Sequence, residues 1–319
     1  MSDYSPDIVK PRATVIICTY NPDRVRLGRT LQALREQSEP LDTWELIVVD
    51  NNNALPLVDW LDLSWHPRAK IVQERRQGLT HARISGIVEA RSPLLIFVDD
   101  DNLLSPVYVR EAIQIGHQYP FLGAWGGGCS GEFETPPPRW LLPYLSFIAI
   151  KECKQLLWSN EYFHDGSTPI GAGMCIRKGI ADRYVATISN DAVRRRLGRS
   201  GSELAGSEDC DMAMTAIDAG LGVGKFPQLH LIHLIPSGRM TEAYILKLAE
   251  ASQASAFVLG EIRGKPSRPY ISGSLLKRAL LWIRVWTLPR MERRIQFALM
   301  RGYRKGQAIA ASLFKGPRP

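Results

Sequence analysis

Three carboxylates in a row, Asp99, Asp100 and Asp101, follow directly on the apolar run Leu94–Val98. A short apolar run bounded by turn residues reads as a buried strand of parallel-sheet type. The acids are therefore expected where that strand leaves the sheet, and ligands of open α/β sheets bind outside the carboxyl ends of strands. Adjacent carboxylates repel one another unless a cation or a proton relieves them. Hard oxygen ligands suit Mg2+ or Mn2+, and Mg2+ commonly takes one or two carboxylates together with substrate phosphates. The stretch reads as a strand-end platform for a metal-bound diphosphate, with a solvated acidic loop as the competing reading. A second pair of acids, Glu208 and Asp209, follows Ser207 at the start of a helical stretch reaching about Ala219. Ser207 has the chemistry of an N-cap, and the positive end of a helix favours ionised carboxylates.

The elements that must position these groups follow from hydropathy. Ala13–Thr19, Glu45–Val49 and Ala69–Gln73 read as three more buried strands. Asn21-Pro22-Asp23 is turn chemistry, and Asp23 can cap a helix over Arg24–Glu36 with Val25, Leu27, Leu31 and Leu34 on its apolar face. A second helix is expected over Leu79–Ala90. Strands alternating with helices in this way make an α/β unit with a largely parallel sheet. Further on, Pro106–Tyr119 reads as a helix with Pro106 in its first turn. Trp125–Cys129, with Gly126, Gly127 and Gly128, reads as a strand that another backbone approaches closely. Pro136–Pro138 breaks regularity, so 131–165 is expected to be loop-rich. Gly171–Ile176 reads as a short strand. Arg194–Ser202, basic and rich in Gly and Ser, could act as a lid over a diphosphate or as a solvated charge run.

The totals bound the class. The chain has 319 residues, 45% hydrophobic and 23% charged, enough for one large or two ordinary domains with a sizeable core. Cys18, Cys129, Cys153, Cys175 and Cys210 show no CxxC spacing, which argues against a disulfide framework or zinc site and suits a reducing compartment. Met1–Thr14 offers no signal-peptide core. No run reaches the roughly 20 apolar residues of a membrane span; Leu141–Ile150 and Ala279–Leu288 come nearest.

The net charge of +8 is uneven. From Lys277 onward eleven Lys and Arg face one acid, Glu292, so that segment carries +10 and the rest −2. Such asymmetry suits a chain that meets a polyanionic surface with one end. Thr241–Gly260 is expected to be a helix packed on the body, and Lys265–Tyr270 a linker. Leu275–Leu288 sets Leu276, Leu280, Ile283 and Trp286 along one side. Met291–Phe314, with Arg290 just before it, carries Arg290, Arg294, Arg301 and Lys305 at helical spacing. Basic and apolar faces side by side fit a helix in a membrane interface, each cation adding about 1 kcal/mol near an anionic leaflet. The competing reading is a helical pair packed on the core. No nucleic-acid motif accompanies the charge, so nucleic acid is not expected as a partner.

Taken together and in order, these blocks resemble glycosyltransferase family 2, the inverting nucleotide-sugar transferases of GT-A fold. The resemblance is carried by Val15–Asn21, by Glu45–Asn51, and by Gly78 with Ala82, Arg83 and Gly86, although Ile84 replaces the usual Asn. It continues in Asp99-Asp100-Asp101 with Pro106, in Gly171–Arg177, in Glu208-Asp209, and in His233 followed by Arg239. It implies an α/β, Rossmann-like, mostly parallel sheet flanked by helices. The catalytic domain would span 1–240, with a nucleotide-sugar half to about 120 and an acceptor half beyond. A helical C-terminal extension, 241–319, would carry the basic tail from about 275.

The resemblance also implies roles. Asp209 would be the catalytic base, and Glu208 would orient the acceptor. Asp101, with Asp99 and His233, would hold Mg2+ or Mn2+. Thr19, Tyr20, Asn21, Asp50, Arg83, Asp99, Asp100, Gly171, Ala172 and Gly173 would contact the nucleotide sugar. Competing structural roles are an Asx-turn for Asp50, a surface ion pair with Glu89 for Arg83 and a core position for His233; His230 reads as structural. The donor would be a UDP-sugar, with dTDP- and GDP-sugars as alternatives, and the acceptor a saccharide or lipid-linked saccharide. The expected setting is cytoplasmic, peripheral at the inner face of the plasma membrane, in bacterial-type cell-surface polysaccharide or glycolipid synthesis. The rivals are a metal-dependent phosphohydrolase of haloacid-dehalogenase type, a nucleotidyltransferase, and an inactive GT-A relative serving as a membrane-associated scaffold. Asn102-Leu103 after the acids speaks against the first, Tyr20–Asp23 in the first loop against the second, and the retained acids against the third.

Overall fold

β1 (Ala13–Thr19) lies at the middle of a parallel set, between β2 (Trp44–Asp50) and β4 (Leu94–Asp99), with β3 (Ala69–Gln73) beyond β2. In this computed structural model, residues 10–313 are described apart from 165, 190, 192, 200–205 and 266–284. Alternate residues of each strand bury on opposite faces, as the two-residue period requires. Val15, Ile17, Leu46, Val48, Ile96 and Val98 pack with α1 (Arg24–Arg35) and α3 (Tyr108–Gln118). Ile16, Ile47, Val49, Leu95 and Phe97 pack with α2 (Leu79–Glu89), α4 (Lys178–Ser189) and α5 (Glu208–Asp218). Burial on both faces explains why these strands read as unbroken apolar runs. Asp23 caps α1 as expected, accepting from the amides of Val25 and Arg26.

The second half continues the same sheet. β8 (Cys175–Arg177) runs antiparallel to β4 and to β6 (Leu122–Phe133), and β9 (Gly222–Ile235) runs parallel to β6. β5 (Asn102–Leu104) and β7 (Leu157–Ser159) add antiparallel to β9. Among the described residues nine strands follow the order β3-β2-β1-β4-β8-β6-β9-β5, with β7 also on β9. The glycine stretch in β6 does what its composition implied. The register shifts between Gly126 and Gly128, and a Cβ on Gly127 would lie 1.5 Å from the Leu229 carbonyl oxygen.

Two expectations are corrected, and a third, left open between two readings, is met in part by packing. Gly171–Gly173 is a turn, and the strand begins only at Cys175, because Gly173 takes φ +73° to hold its carbonyl against the Tyr108 hydroxyl at 2.6 Å. Pro106 precedes its helix, which starts at Tyr108, and its carbonyl accepts from Ser38 instead. The basic face after 290 is only partly free. α7 (Arg290–Leu313) packs along α6 (Glu242–Ile262), where Arg294 pairs with Glu242 and Arg301 with Glu250. Gly302 and Gly306 permit the approach: a Cβ on them would meet the Glu250 carbonyl oxygen at 2.2 Å and Phe257 Cβ at 2.7 Å. The amphipathic reading of Leu275–Leu288 falls mainly on 266–284, outside the described residues. Among the described residues no helix is long and apolar enough to cross a membrane.

Candidate active site

The parallel register sets the carboxyl ends of the central strands level, pairing Thr19 with Asp50 and Cys18 with Asp99. Above this edge opens a cleft of about 350 Å³. It is lined by Thr19, Tyr20, Asn51, Gly78 and the three acids, together with Ile148, Ala172, His233, Arg239, Tyr244 and Leu248.

The three acids diverge to different partners. Asp99 is partly exposed, with Oδ1 3.8 Å from Arg83 Nη2. Asp100 accepts a 2.7 Å hydrogen bond from the Thr19 hydroxyl. Burial, with the neighbouring Asp101 charge, pushes the Asp100 carboxyl up to about 6, although Thr19 opposes the shift. Asp101 is 4% exposed and faces His233, whose Nε2 is 3.4 Å from Asp101 Oδ2. Strand β5 creates this meeting: Asn102 pairs with His233 in register, and the Asp101 carbonyl accepts from the Leu234 amide. The other ring nitrogen, Nδ1, lies 3.1 Å from the Ile148 carbonyl oxygen. A carbonyl only accepts, so Nδ1 carries a proton, and in the neutral ring Nε2 keeps a lone pair that accepts from Arg239 Nη1 at 2.9 Å beside Asp101. One carboxylate and one imidazole lone pair, side by side, suit a divalent ion. Among the described residues no three His, Cys, Asp or Glu side chains converge. An ion here would therefore draw its remaining ligands from phosphate and water, the usual Mg2+ pattern. Asp99 reaches toward Arg83 instead.

The second acid pair arrives on α5. Ser207 does not cap it: its side chain makes no capping bond, and its φ −145°, ψ 9° departs from the extended geometry a cap adopts. Asp209 instead accepts from the Gly171 amide at 2.7 Å and from its neighbour Cys210 at 2.8 Å. Glu208 is 3% exposed and accepts from Arg83 Nη1 at 2.8 Å. Burial pushes the Glu208 carboxyl up to about 7, against the pull of Arg83. Arg83 also lies 5.5 Å over the Phe97 ring. This one guanidinium joins the second acid pair to Asp99 of the first. The ion pair with Glu89 does not form; Glu89 is held by Lys70.

Other expected contacts are placed differently. Asp50 does not line the cleft. Its Oδ1 accepts from the Asn53 amide at 2.9 Å and its Oδ2 from Leu57 at 2.8 Å, so it closes the loop after β2. Arg83, 3% exposed, is likewise not on the cleft wall. Asn21, at φ 48°, accepts from the Ala54 amide and supports the same loop. Thr19, Tyr20, Asp99, Asp100 and Ala172 do line the cleft. Gly171 stands where a Cβ would meet Arg83 Nη2 at 2.5 Å and Asp209 Oδ2 at 3.1 Å, so its missing side chain makes room for both. Asn51 was not singled out; it accepts from Gly78 at 2.8 Å and donates to the Arg76 carbonyl at 2.8 Å, tying the β2 and β3 loops at the rim. Tyr244 and Leu248 come from a helix the sequence assigned to packing alone.

A mostly parallel sheet continued by antiparallel strands, with acids at the ends of its central strands and helices on both faces, is the GT-A fold. The glycosyl transferase family 2 model matches residues 14–181, more than half of the chain, and the chain belongs to that family. Its structure is similar to that of S. aureus TarS 1–349, with a TM-score of 0.52 at 14% identity, covering 96% of this chain and 92% of that one. A structure of the same TarS segment in complex with UDP matches at 0.52 and 13%. In sequence, the chain is 26% identical over 106 residues to EpsH of Bacillus subtilis strain 168, named as a glycosyltransferase, covering 33% of this chain and 30% of EpsH. It is 23% identical over 247 residues to mouse polypeptide N-acetylgalactosaminyltransferase 12, covering 71% of this chain and 40% of that protein. The chain thus spans less than half the length of these curated relatives.

Proposed function

We propose that this chain transfers a sugar from a nucleoside-diphosphate sugar, a UDP-sugar first, to an acceptor hydroxyl with inversion at the anomeric carbon. The observation that carries the reading is the meeting of two acid groups across Arg83 beside one cleft. Inverting transfer is a single displacement: the hydroxyl oxygen bonds to the anomeric carbon as the bond to the diphosphate breaks. The hydroxyl proton passes to Asp209, whose carboxylate is positioned by the Gly171 and Cys210 amides at the start of α5. A positioned base of this kind contributes about 10²–10⁴ in rate. Asp101 and His233 would hold Mg2+ or Mn2+, which supplies Lewis-acid neutralisation of the leaving diphosphate. Glu208 sets the orientation of Arg83 and, through it, of Asp99. The UDP in the TarS complex supports UDP as the nucleotide, and the relatives' names support sugar transfer.

The setting proposed is bacterial-type polysaccharide or glycolipid assembly, on a saccharide or lipid-linked saccharide. Arg290, Arg304 and Lys305 on α7 are exposed, and Trp286 is 61% exposed. These groups support a peripheral position on an anionic membrane face. The deciding assay incubates the protein with UDP-, dTDP- and GDP-sugars plus Mn2+ or Mg2+ and measures released nucleoside diphosphate. Release with a UDP-sugar is expected. Phosphate release from simple esters would move the assignment to a phosphohydrolase, and no nucleotide-sugar binding at all would leave a scaffold.

A further inference from the structure

The corner formed by Asp101 and His233 already holds a cation belonging to the chain. Arg239 Nη1 lies 3.0 Å from Asp101 Oδ2 and 2.9 Å from His233 Nε2. Those two acceptors are 3.4 Å apart. An ion with ligand bonds of about 2.1 Å sets adjacent donors about 3 Å apart, so this pair is spaced for one divalent ion in neighbouring positions. The guanidinium nitrogen sits between the same two lone pairs. One guanidinium nitrogen, with its two N–H bonds, serves both acceptors, and the ion needs both. Arg239 and a divalent ion therefore exclude each other by contact and by charge.

We propose that Arg239 is a tethered stand-in cation that must leave the Asp101–His233 corner before a divalent ion enters, and that the diphosphate receives it. The inference rests on the metal-dependent reading above. Arg239 has room to move, its side chain being 31% exposed where the two acceptors are 6% and 9%. It lines the same cleft as the three acids, so an incoming diphosphate meets it directly. Phosphate oxygens accept the fork of N–H donors that Asp101 and His233 give up. Binding of the ion and of the diphosphate is then coupled, each favouring the other, and the coupling must be equal in both directions. The free protein keeps its acids neutralised without a metal, and the ion enters only with the substrate it serves.

The test measures Mn2+ binding by the paramagnetic signal of free Mn2+, on the full chain, with and without UDP, for wild type, Arg239→Gln and Arg239→Lys. Wild type is expected to bind Mn2+ weakly alone and at least tenfold more tightly with UDP. Arg239→Gln removes the resident charge, so Mn2+ alone should bind at least tenfold tighter than to wild type, with less added by UDP. Arg239→Lys keeps the charge and should stay near wild type without UDP. Circular dichroism and the thermal midpoint establish that each variant is folded. Mn2+ affinity without UDP that is the same in Arg239→Gln as in wild type overturns the proposal. No Mn2+ binding by any variant even with UDP overturns the metal reading itself. Turnover by wild type without a divalent ion, lost in Arg239→Gln, would make Arg239 a permanent replacement for the metal and likewise overturn the coupling.

Discussion

Arg83 and Glu208, 125 residues apart in the chain, meet at 2.8 Å inside the protein, each side chain 4% exposed. The pair fastens α2 to the first turn of α5, and so fixes where Asp209 stands relative to the strand-end acids. A buried pair of this kind is weak evidence of stability, since desolvation offsets the attraction. Its effect is positional. The same guanidinium reaches toward Asp99, so one cation links the acids of α5 to the strand-end acids.

Removing one partner should therefore cost far more than removing both. Arg83→Met leaves Glu208 buried without its cation, and a loss of about 3–5 kcal/mol is expected. Arg83→Met with Glu208→Leu should recover much of that stability while remaining inactive. Denaturant unfolding of the three proteins checks the ordering; a double variant less stable than Arg83→Met alone would remove the pair from this role.

The raised Glu208 carboxyl predicts a pH dependence of known sign. Its folded value, about 7, lies above the ordinary 4.5, so the folded state binds the proton more tightly. The stability contributed is fully present below about 4.5 and is lost as pH rises through about 7. Between those values wild type should lose stability relative to Glu208→Gln. Turnover should move the opposite way, rising through about 7 as the Arg83–Glu208 pair ionises. Glu208→Gln should abolish that limb of the kcat profile. A limb unchanged in Glu208→Gln would assign it to another group.

Asp209→Asn should retain nucleotide-sugar affinity and lose about 10²–10⁴ in kcat. The amide oxygen can still accept from Gly171 while the bond from Cys210 is given up, so the side chain stays in place while basicity is lost. Isothermal titration with UDP and steady-state rates separate the two effects; normal turnover would exclude Asp209 as the base.

Gly171→Ala places a methyl 2.5 Å from Arg83 Nη2 and 3.1 Å from Asp209 Oδ2. The guanidinium is the softer neighbour and should yield. The expected result is a folded protein with kcat reduced at least tenfold and UDP affinity within about threefold of wild type, in line with the steep cost of misplacing a catalytic group. Equal losses in affinity and rate would mean that the turn itself had collapsed.

Replacing Gly302 or Gly306 with Val should separate α7 from α6, because backbone and Phe257 occupy the space a side chain needs. A thermal midpoint lower by several degrees is expected. Charge reversal of exposed Arg304 and Lys305 should leave the midpoint unchanged and release the protein from anionic vesicles. Vesicle sedimentation that is indifferent to this change would assign the tail to packing alone.

Sequence alone determined the alternation of buried strands and helices, because burial on both faces of a parallel sheet writes continuous apolar runs that need no partner to be recognised. It also marked Asp99–Asp101 and Glu208-Asp209 as chemistry, since adjacent carboxylates at element ends have few structural uses. Gly126–Gly128 announced a close backbone approach, which Gly127 and Leu229 make. Pairings between distant residues were decided only by the tertiary structure. Nothing local distinguishes a cleft-facing Asp50 from one whose two oxygens are taken by the loop amides of Asn53 and Leu57. Arg83 reads from the sequence as a nucleotide-sugar contact or a surface cation, and only the fold turns it inward to Glu208 at the start of α5. The short strand β5 joins β9 in a register that sets Asp101 beside His233, and Arg239 then fills the corner. Hydropathy periods report which face of an element is buried; they do not report what it is buried against, and the site is made of those contacts.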